Sequence, residues 1–409
     1  MTSSIAAASS HAVAVKPMSA GMTMLLAAAC GLTAANLYYA QPLIGVIAPD
    51  IGLGETAASL LVTFTQLGYC AGLVLLVPLG DLLENRALTC WTLCCAAAAL
   101  AAAACAPTAA AFLAAALCIG VASVAAQMLV PMAAHLSPDA SRGRTVGNVM
   151  SGLLIGVMLA RPVSSLIADA FGWRAVFGAS AAAIAILAFA LRSLLPERRP
   201  KADHTYFALI GSMARLLRNN PILRRRAAYQ SLLFAAFSLY WTAVPLELAG
   251  PTFGLSQRGI ALFALAGAGG ALSAPIAGRI ADRGWSRIGT GVALGLVAVA
   301  FLLARIGAEG SMIALCAAGI VLDAGVQSCQ VIGQRAIYAL RPEIRSRLNG
   351  IFVAALFVGG AAGSAIASLA YVLGGWERVS WIGLAFPLAA LMFYATEFRG
   401  PSTAPPGGR

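Results

Sequence analysis

The chain has 409 residues, 60% of them hydrophobic and only 10% charged, with a mean hydropathy of +0.85. A water-soluble fold needs far more charge to cover its surface, so these figures exclude an ordinary soluble domain and point to a polytopic membrane protein. The formal net charge of +12 invites a nucleic-acid partner, which the placement of the charges then excludes.

Apolar runs of roughly 18 to 25 residues, each long enough to cross hydrocarbon, predict twelve transmembrane helices. In chain order they centre near Cys30, Tyr69, Ala97, Ser123, Gly156, Ile184, Ala236, Ala268, Leu296, Asp323, Gly359 and Phe386. The first run follows a single Lys16 but continues past Tyr39 to about Ile47 without a small-residue cleavage site, so it reads as a retained span and not a signal. The third, TCWTLCCAAAALAAAACA, is the least hydrophobic. The longest polar stretch, RSLLPERRPKADHTYFALIGSMARLLRNNPILRRRA from Arg192 to Ala227, divides the spans into six and six. The expected units are therefore residues 1–195, a linker at 196–226, and residues 227–409.

The 27 Lys and Arg are distributed by side. With the N-terminus placed inside, the outer loops hold Arg174, Arg258, Arg305 and Arg378, and Arg161 lies within a span. All the others, including Arg86, Arg142, Arg144, Arg335, Arg341, Arg399 and Arg409, fall on the inner side. This is the positive-inside pattern of a protein with both termini in the cytoplasm. The basic balance reports topology, and no nucleic-acid partner is expected.

All nine cysteines (residues 30, 70, 90, 94, 95, 105, 118, 316 and 329) fall in apolar runs, and none has metal-ligand spacing with a nearby His. Cys90 and Cys94 share a helix face and read as small packing residues. His11, His135 and His204 are scattered. No metal, cofactor or phosphate-binding G-x4-G-K-[ST] loop is expected, so ATP is not the direct energy source. No paired carboxylates or His cluster suggest an enzyme.

The two halves repeat. SRGRTVG (Ser141–Gly147) matches IRSRLNG (Ile344–Gly350) at an offset of 203 residues. The same offset carries Gln127 onto Gln330, Gly156 onto Gly359, and Gly172–Trp173 onto Gly375–Trp376. Six crossings per half is an even number, so both halves insert with the same orientation and enclose a cavity where they meet.

A second pair of matches lies in the loops after spans two and eight: VPLGDLLENR, with Asp81 and Arg86, and GRIADRGWSR, with Gly278, Asp282, Arg283 and Arg287. The pattern resembles the G-x-L-a-D-R-x-G-R-R loop signature of the major facilitator superfamily. The second copy keeps Gly278, Asp282 and Arg283. The first keeps Asp81 but has Val77, Leu82 and Glu84 in place of Gly, Arg and Gly. The fifth span, GNVMSGLLIGVMLARPVSS, resembles the signature of the drug:proton antiporter branch: Gly147, Gly156 and Ala160 fit, while Arg161 stands for Pro and Ser164 and Ser165 for the last glycines. Small residues there imply close helix contact.

The resemblance implies an all-α membrane protein, twelve helices in two parallel six-helix repeats around a central cavity lined by spans one, four, seven and ten. It also implies a gate: Asp81 beside the start of span eleven near Arg345 and Arg347, and Asp282 beside the start of span five near Arg142 and Arg144, with Arg86 and Arg283 alongside. A carboxylate at a helix N-terminus is favoured by the dipole.

Polar residues inside the spans are the functional candidates. At 100° per residue, Asp323, Gln327, Gln330 and Gln334 fall within an arc of about 60° on the tenth span. A carboxylate facing lipid at mid-bilayer costs about 3 kcal/mol on insertion scales, a cost that a wet cavity removes. Asp323 is therefore expected to couple protons. Arg161, roughly 24 Å along its helix from about Thr145, is expected to pair with Asp323, orient an anionic substrate or snorkel outward. Further substrate-binding candidates are Asn36, Tyr39, Gln66, Tyr69, Gln127, Tyr240, Trp241, Gln327 and Gln330. Glu247, near the outer end of span seven, reads as interfacial, with a second protonation site as the alternative.

The expected function is proton-coupled efflux of a small organic solute by alternating access, with proton-coupled uptake of a small metabolite as the alternative. The expected partners are that solute, protons and the lipid bilayer. The expected setting is a bacterial inner membrane, with the chain acting as a monomer.

Overall fold

Hydrocarbon offers backbone N–H and C=O groups no partner, so a chain that crosses it repeatedly must satisfy them within helices. A computed structural model describes residues 18–200, 205–267, 269–270, 273–307, 309–340 and 344–398, and among these residues the regular structure is helical throughout. His11, Lys16, His204, Arg341, Arg399, Arg409 and the eighth-span centre Ala268 lie outside the described residues.

Span 1 is Ala20–Ala35, after which the helix gives way to turns, a short 3₁₀ turn at Gln41–Leu43 and a final helical piece, Ile44–Asp50. Spans 2 and 3 are Leu60–Leu75 and Asn85–Ala104. Span 4 is Ala109–Ala122 continued by Ala125–His135. Spans 5 and 6 are Asp139–Phe171 and Trp173–Leu194. Span 7 is Pro221–Ala249, starting earlier than the expected linker boundary because Pro221 sits at a helix's first position, where its missing N–H costs nothing. Span 8 is broken into Gln257–Gly267 and Ser273–Asp282. Spans 9 and 10 are Ser286–Gly307 and Met312–Tyr338. Spans 11 and 12 run together as Arg345–Ala395, divided where Gly374 and Gly375 leave helical geometry.

The linker, a polar stretch in sequence, holds an amphipathic helix, Tyr206–Asn219. It buries Leu209 and Met213, and the Tyr206 hydroxyl donates to the Leu75 carbonyl. Glu84, the departure from the loop signature, has its own structural use. Its carboxylate caps span 3 by accepting from the backbone N–H groups of Arg86 (2.8 Å) and Ala87 (2.7 Å), and reaches that of Arg198 at 3.3 Å. Burial opposes the charged form of Glu84, but these N–H groups and the nearby Arg86 outweigh it and hold the carboxyl below its usual range. Arg86, expected at the gate, instead pairs with Glu197 and donates to the Leu195 carbonyl, fastening the linker to span 3.

The repeat holds in three dimensions. Gly172 and Gly375 both take positive φ, 81° and 60°, at the sharp turns joining spans 5 to 6 and 11 to 12. A side chain is strained there, so glycine suits both turns. Each is followed by a buried Trp whose indole N–H is satisfied, Trp173 by Asp50 (3.0 Å) and Trp376 by the Ala304 carbonyl (2.8 Å). Gly156 lies against the backbone of Gly31 on span 1, and its repeat mate Gly359 lies against Ser231 on span 7.

The halves meet through span 2 against span 11 and span 5 against span 8. The end away from the linker is closed. There the Ser59 hydroxyl accepts from the Ser368 N–H (3.3 Å), Thr63 and Ser364 share a bond of 2.9 Å, and Arg258 pairs with Asp169 at 2.6 Å. Gln66, expected to bind substrate, belongs to this seal. It is fully buried, donates to Ser238 (2.7 Å) and accepts from Ser364 (3.2 Å). The linker end stands open.

The contrast between two glycines of span 5 tests the packing. Gly156→Leu is expected to destabilise by about 1–3 kcal/mol through overpacking against span 1, read as a lower unfolding temperature. At Gly147 an added Cβ meets nothing within 4 Å, and Gly147→Leu is expected to leave that temperature nearly unchanged.

Candidate functional site

A cavity of about 720 Å³ lies between the halves and reaches the linker end. The tenth span supplies its polar wall: Asp323, Gln327, Gln330 and Gln334 all line it, as the arc on one helix face requires. Span 10 keeps regular helix through this region, so the angular count survives intact. The fourth span contributes Gln127, whose amide donates to the Tyr69 hydroxyl at 3.1 Å, and both face the cavity. Gln127 and Gln330, repeat mates in sequence, therefore occupy the same space from opposite halves. The apolar wall comes from Leu37, Phe234, Phe237 and Phe357, with Tyr69 and Phe357 in ring contact at 4.5 Å.

At the closed end of the cavity sits Arg161. Its side chain is only 6% exposed, yet it lines the cavity. The guanidinium Nε donates to Gln41 Oε1 at 2.8 Å. Three rings surround the group, Trp241 at 4.4 Å and Tyr38 and Phe237 at 5.1 Å each. Such rings stabilise a cation held out of water. Trp241 is fully buried behind the cavity wall, and its indole N–H donates to Asp323 Oδ1 at 2.8 Å. Arg161 and Asp323 are therefore joined through one indole, whose face meets the cation and whose edge meets the carboxylate. The direct pairing weighed from sequence is replaced by this bridge, and no Arg161–Asp323 ion pair occurs among the described residues.

Several expected substrate contacts lie elsewhere. Asn36 is buried in the first bundle and accepts from Ser180 at 2.9 Å, and Tyr39 is buried beside it. A cavity-facing place for them assumes continuous helix, but the helix of span 1 ends at Ala35. The break turns Tyr38 toward the cavity instead. Tyr240 is a structural residue: its hydroxyl donates to the Leu315 carbonyl at 2.8 Å and its ring packs against Trp376 and Phe301. Glu247 accepts from Tyr371 at 3.0 Å within the second half. Phe234 and Phe237 of the aromatic wall are absent from the sequence candidates although a signal exists: with the candidate Trp241 they recur at i, i+3 and i+7, one face of span 7.

The gate residues are placed as follows. Asp282 is ion-paired with Arg335 of span 10, in its own half, rather than with Arg142 or Arg144 across the interface. With the linker end open, the partner across the gap is out of reach while Arg335 is adjacent. Arg142 donates to the Ala134 carbonyl (2.9 Å), Arg144 and Arg283 are exposed, and Arg345 donates to the Tyr338 carbonyl (3.0 Å). Asp81 and Arg347 face one small recess between the halves, closed from below by Leu209 and Met213 of the linker helix.

Comparison with known proteins agrees with this architecture. The model of the Major Facilitator Superfamily matches residues 24–322 and 226–409. The chain is 40% identical over 387 residues to the uncharacterized transporter YgaY of Escherichia coli O157:H7, covering 95% of this chain and 98% of that one. It is 35% identical over 373 residues to a probable transporter of Streptomyces coelicolor, covering 90% and 86%. Among solved structures, the nucleoside transporter NupG superposes with a TM-score of 0.73 at 16% identity, covering 93% of this chain and all of that one. A D-xylose-proton symporter gives 0.70 at 18%, covering 91% and 96%. At such identities the superpositions speak for the fold alone. A repeat of six helices, a shared cavity, a matching family model and full-length transporter relatives agree, and the chain belongs to the Major Facilitator Superfamily.

Proposed function

We propose that this membrane transporter carries a small organic solute out of a bacterial cell by alternating access, in exchange for protons. The observation that carries the reading is the carboxylate of Asp323, the one acid among the described residues lining the cavity. It stands on a stripe of three glutamines and is tied through Trp241 to the cation of the other half. A carboxylate in such a place can hold a proton or release it as the cavity changes sides, and its charge would alter the bridge to Arg161. The close glycine contact between spans 1 and 5 favours the antiporter branch.

In this reading residues 1–195 and 227–409 are the two rocking bodies and 196–226 is their tether. The basic end faces the cytoplasm with both termini, as the charge asymmetry favours, so the cavity is open inward. The protein works as a monomer in the inner membrane, with no cofactor. Gln127, Tyr69, Gln327 and Gln330 contact the solute. Asp81 and Asp282, with Arg142, Arg144, Arg345 and Arg347 opposite, close the cytoplasmic end once the halves rock together.

Inverted membrane vesicles with an imposed pH gradient test direction and coupling together. Solute accumulation driven by an acidic lumen is the expected result. Accumulation only in right-side-out vesicles with acid outside would favour proton-coupled uptake of a metabolite. Asp323→Asn is expected to abolish gradient-driven flux at unchanged unfolding temperature; undiminished flux in that variant removes Asp323 from the coupling.

The rocking itself is tested at the closed end. In a background lacking the native cysteines, Ser59→Cys combined with Ser368→Cys is expected to accept a short thiol crosslink that stops transport until it is reduced. Full transport in the crosslinked protein would show that this end does not open.

A further inference from the structure

The structure assigns to Arg161 and Gln41 a site for the carboxylate of the transported solute, which makes the cargo an amphipathic organic acid. This inference rests on the proposed transport of a small organic solute through the same cavity, and it adds the chemical class of that solute.

The site is defined by unspent donors. Arg161 is more than nine-tenths buried, and among the described residues only its Nε has an acceptor, Gln41 Oε1 at 2.8 Å. Its Nη2 is enclosed without one. Gln41 is itself fully buried, and its Nε2, the donor end of the amide that holds Arg161, is likewise unpartnered. Arg161 lines the closed end of the cavity and Gln41 stands behind it, holding its Nε, and among the described residues neither Arg161 Nη2 nor Gln41 Nε2 has an acceptor. A buried polar group without a partner is costly, and a buried charge more so. The group that answers both is an anion with several lone pairs.

The geometry narrows the anion further. Rings of Tyr38, Phe237 and Trp241 stand over the guanidinium. Faces so covered leave the planar edge for a ligand, and that edge is the part of arginine that matches a carboxylate in a bidentate pair. The protein's own carboxylate does not touch the guanidinium: Asp323 Oδ1 accepts from the Trp241 indole and acts on the cation only at a distance. The cavity wall that Arg161 shares is largely apolar, with Phe237 over the cation and Leu37, Phe234 and Phe357 elsewhere along it. A small inorganic anion would leave that wall in water, whereas an organic acid places its charge on Arg161 and its body against the rings.

Binding to the purified full-length protein in detergent tests the assignment without any appeal to transport, direction or proton coupling. The probes are hydrocinnamate and phenethylamine, which share one aromatic body and differ in the sign of the head group, with chloride as the inorganic arm. Saturable thermal stabilisation by hydrocinnamate is expected, with Arg161→Lys weakening it by roughly tenfold or more and Gln41→Leu weakening it in the same direction. Arg161→Lys keeps the charge, so a folded sample of that variant suffices even where a neutral replacement fails to fold. Stabilisation by phenethylamine but not hydrocinnamate would overturn the assignment, as would binding of neither probe or hydrocinnamate binding that ignores both substitutions. Chloride reproducing the full shift would mark a structural anion site and also overturn it. If hydrocinnamate binds as expected while vesicles show no solute flux, the site stands and the transport reading fails.

Discussion

The organisation of this protein depends on keeping a guanidinium and a carboxylate inside a slab of hydrocarbon without letting them collapse into a direct pair. Each charge at mid-bilayer costs about 2.5–3.5 kcal/mol on insertion scales. An ion pair would offset much of that and would also fasten the two halves together. Here the Trp241 indole stands between, receiving the Arg161 cation on its face and giving its N–H to Asp323. Both groups meet an uncharged one, so in the proposed cycle either could exchange its partner for a proton or a solute without first breaking a direct ion pair. Arg161 belongs to the first half, and Trp241 with Asp323 to the second. The bridge therefore crosses the interface between the halves, the one that the proposed alternating access would open and close.

What the sequence made legible follows from where helices stay regular. Span 10 is unbroken from Met312 to Tyr338, so the arc holding Asp323, Gln327, Gln330 and Gln334 could be counted from 100° per residue, and all four face the cavity. Span 1 obeys the same count only to Ala35. Beyond it the turns rotate Asn36 and Tyr39 into the bundle and Tyr38 outward, which no period reveals. The Gly156–Gly359 and Gly172–Gly375 registrations were readable because they are constraints on backbone approach and turn geometry, which tolerate few residue types. Gln66 and Tyr240 show the opposite limit. A polar side chain in a span signals that a partner exists but not whether it is a solute, a serine on the facing helix or a backbone carbonyl. Glu84 replaces a signature glycine and still earns a place, as the cap of span 3.

The two ends of the molecule are built from different chemistry. Away from the linker, hydroxyls and one amide make short neutral bonds between spans 2, 7 and 11, with a single charged pair, Arg258–Asp169, at the rim. At the linker end the groups facing the gap are charged, and they are satisfied locally: Asp282 by Arg335, Arg86 by Glu197, Arg345 by the Tyr338 carbonyl. Charges near water cost little to separate from one another, whereas buried hydroxyls need a partner at all times. The open end can therefore be the charged one, and the sealed end must exchange its hydrogen bonds for water when it opens.

That difference bears on how far the equilibrium between conformations can lie from balance. A ligand shifts two states only by its differential affinity for them, and about 5.5 kcal/mol is needed to reverse a hundredfold preference. A neutral hydrogen bond contributes about 0.5–1.5 kcal/mol net, so the Ser59, Thr63 and Gln66 contacts together hold the sealed end by a few kcal/mol. A change of charge at one carboxylate is of the same size, since one pKa unit corresponds to 1.36 kcal/mol. In the proposed cycle, a seal built largely from hydroxyls and one amide lies within reach of a change of charge at Asp323, which the Trp241 indole links to the other half.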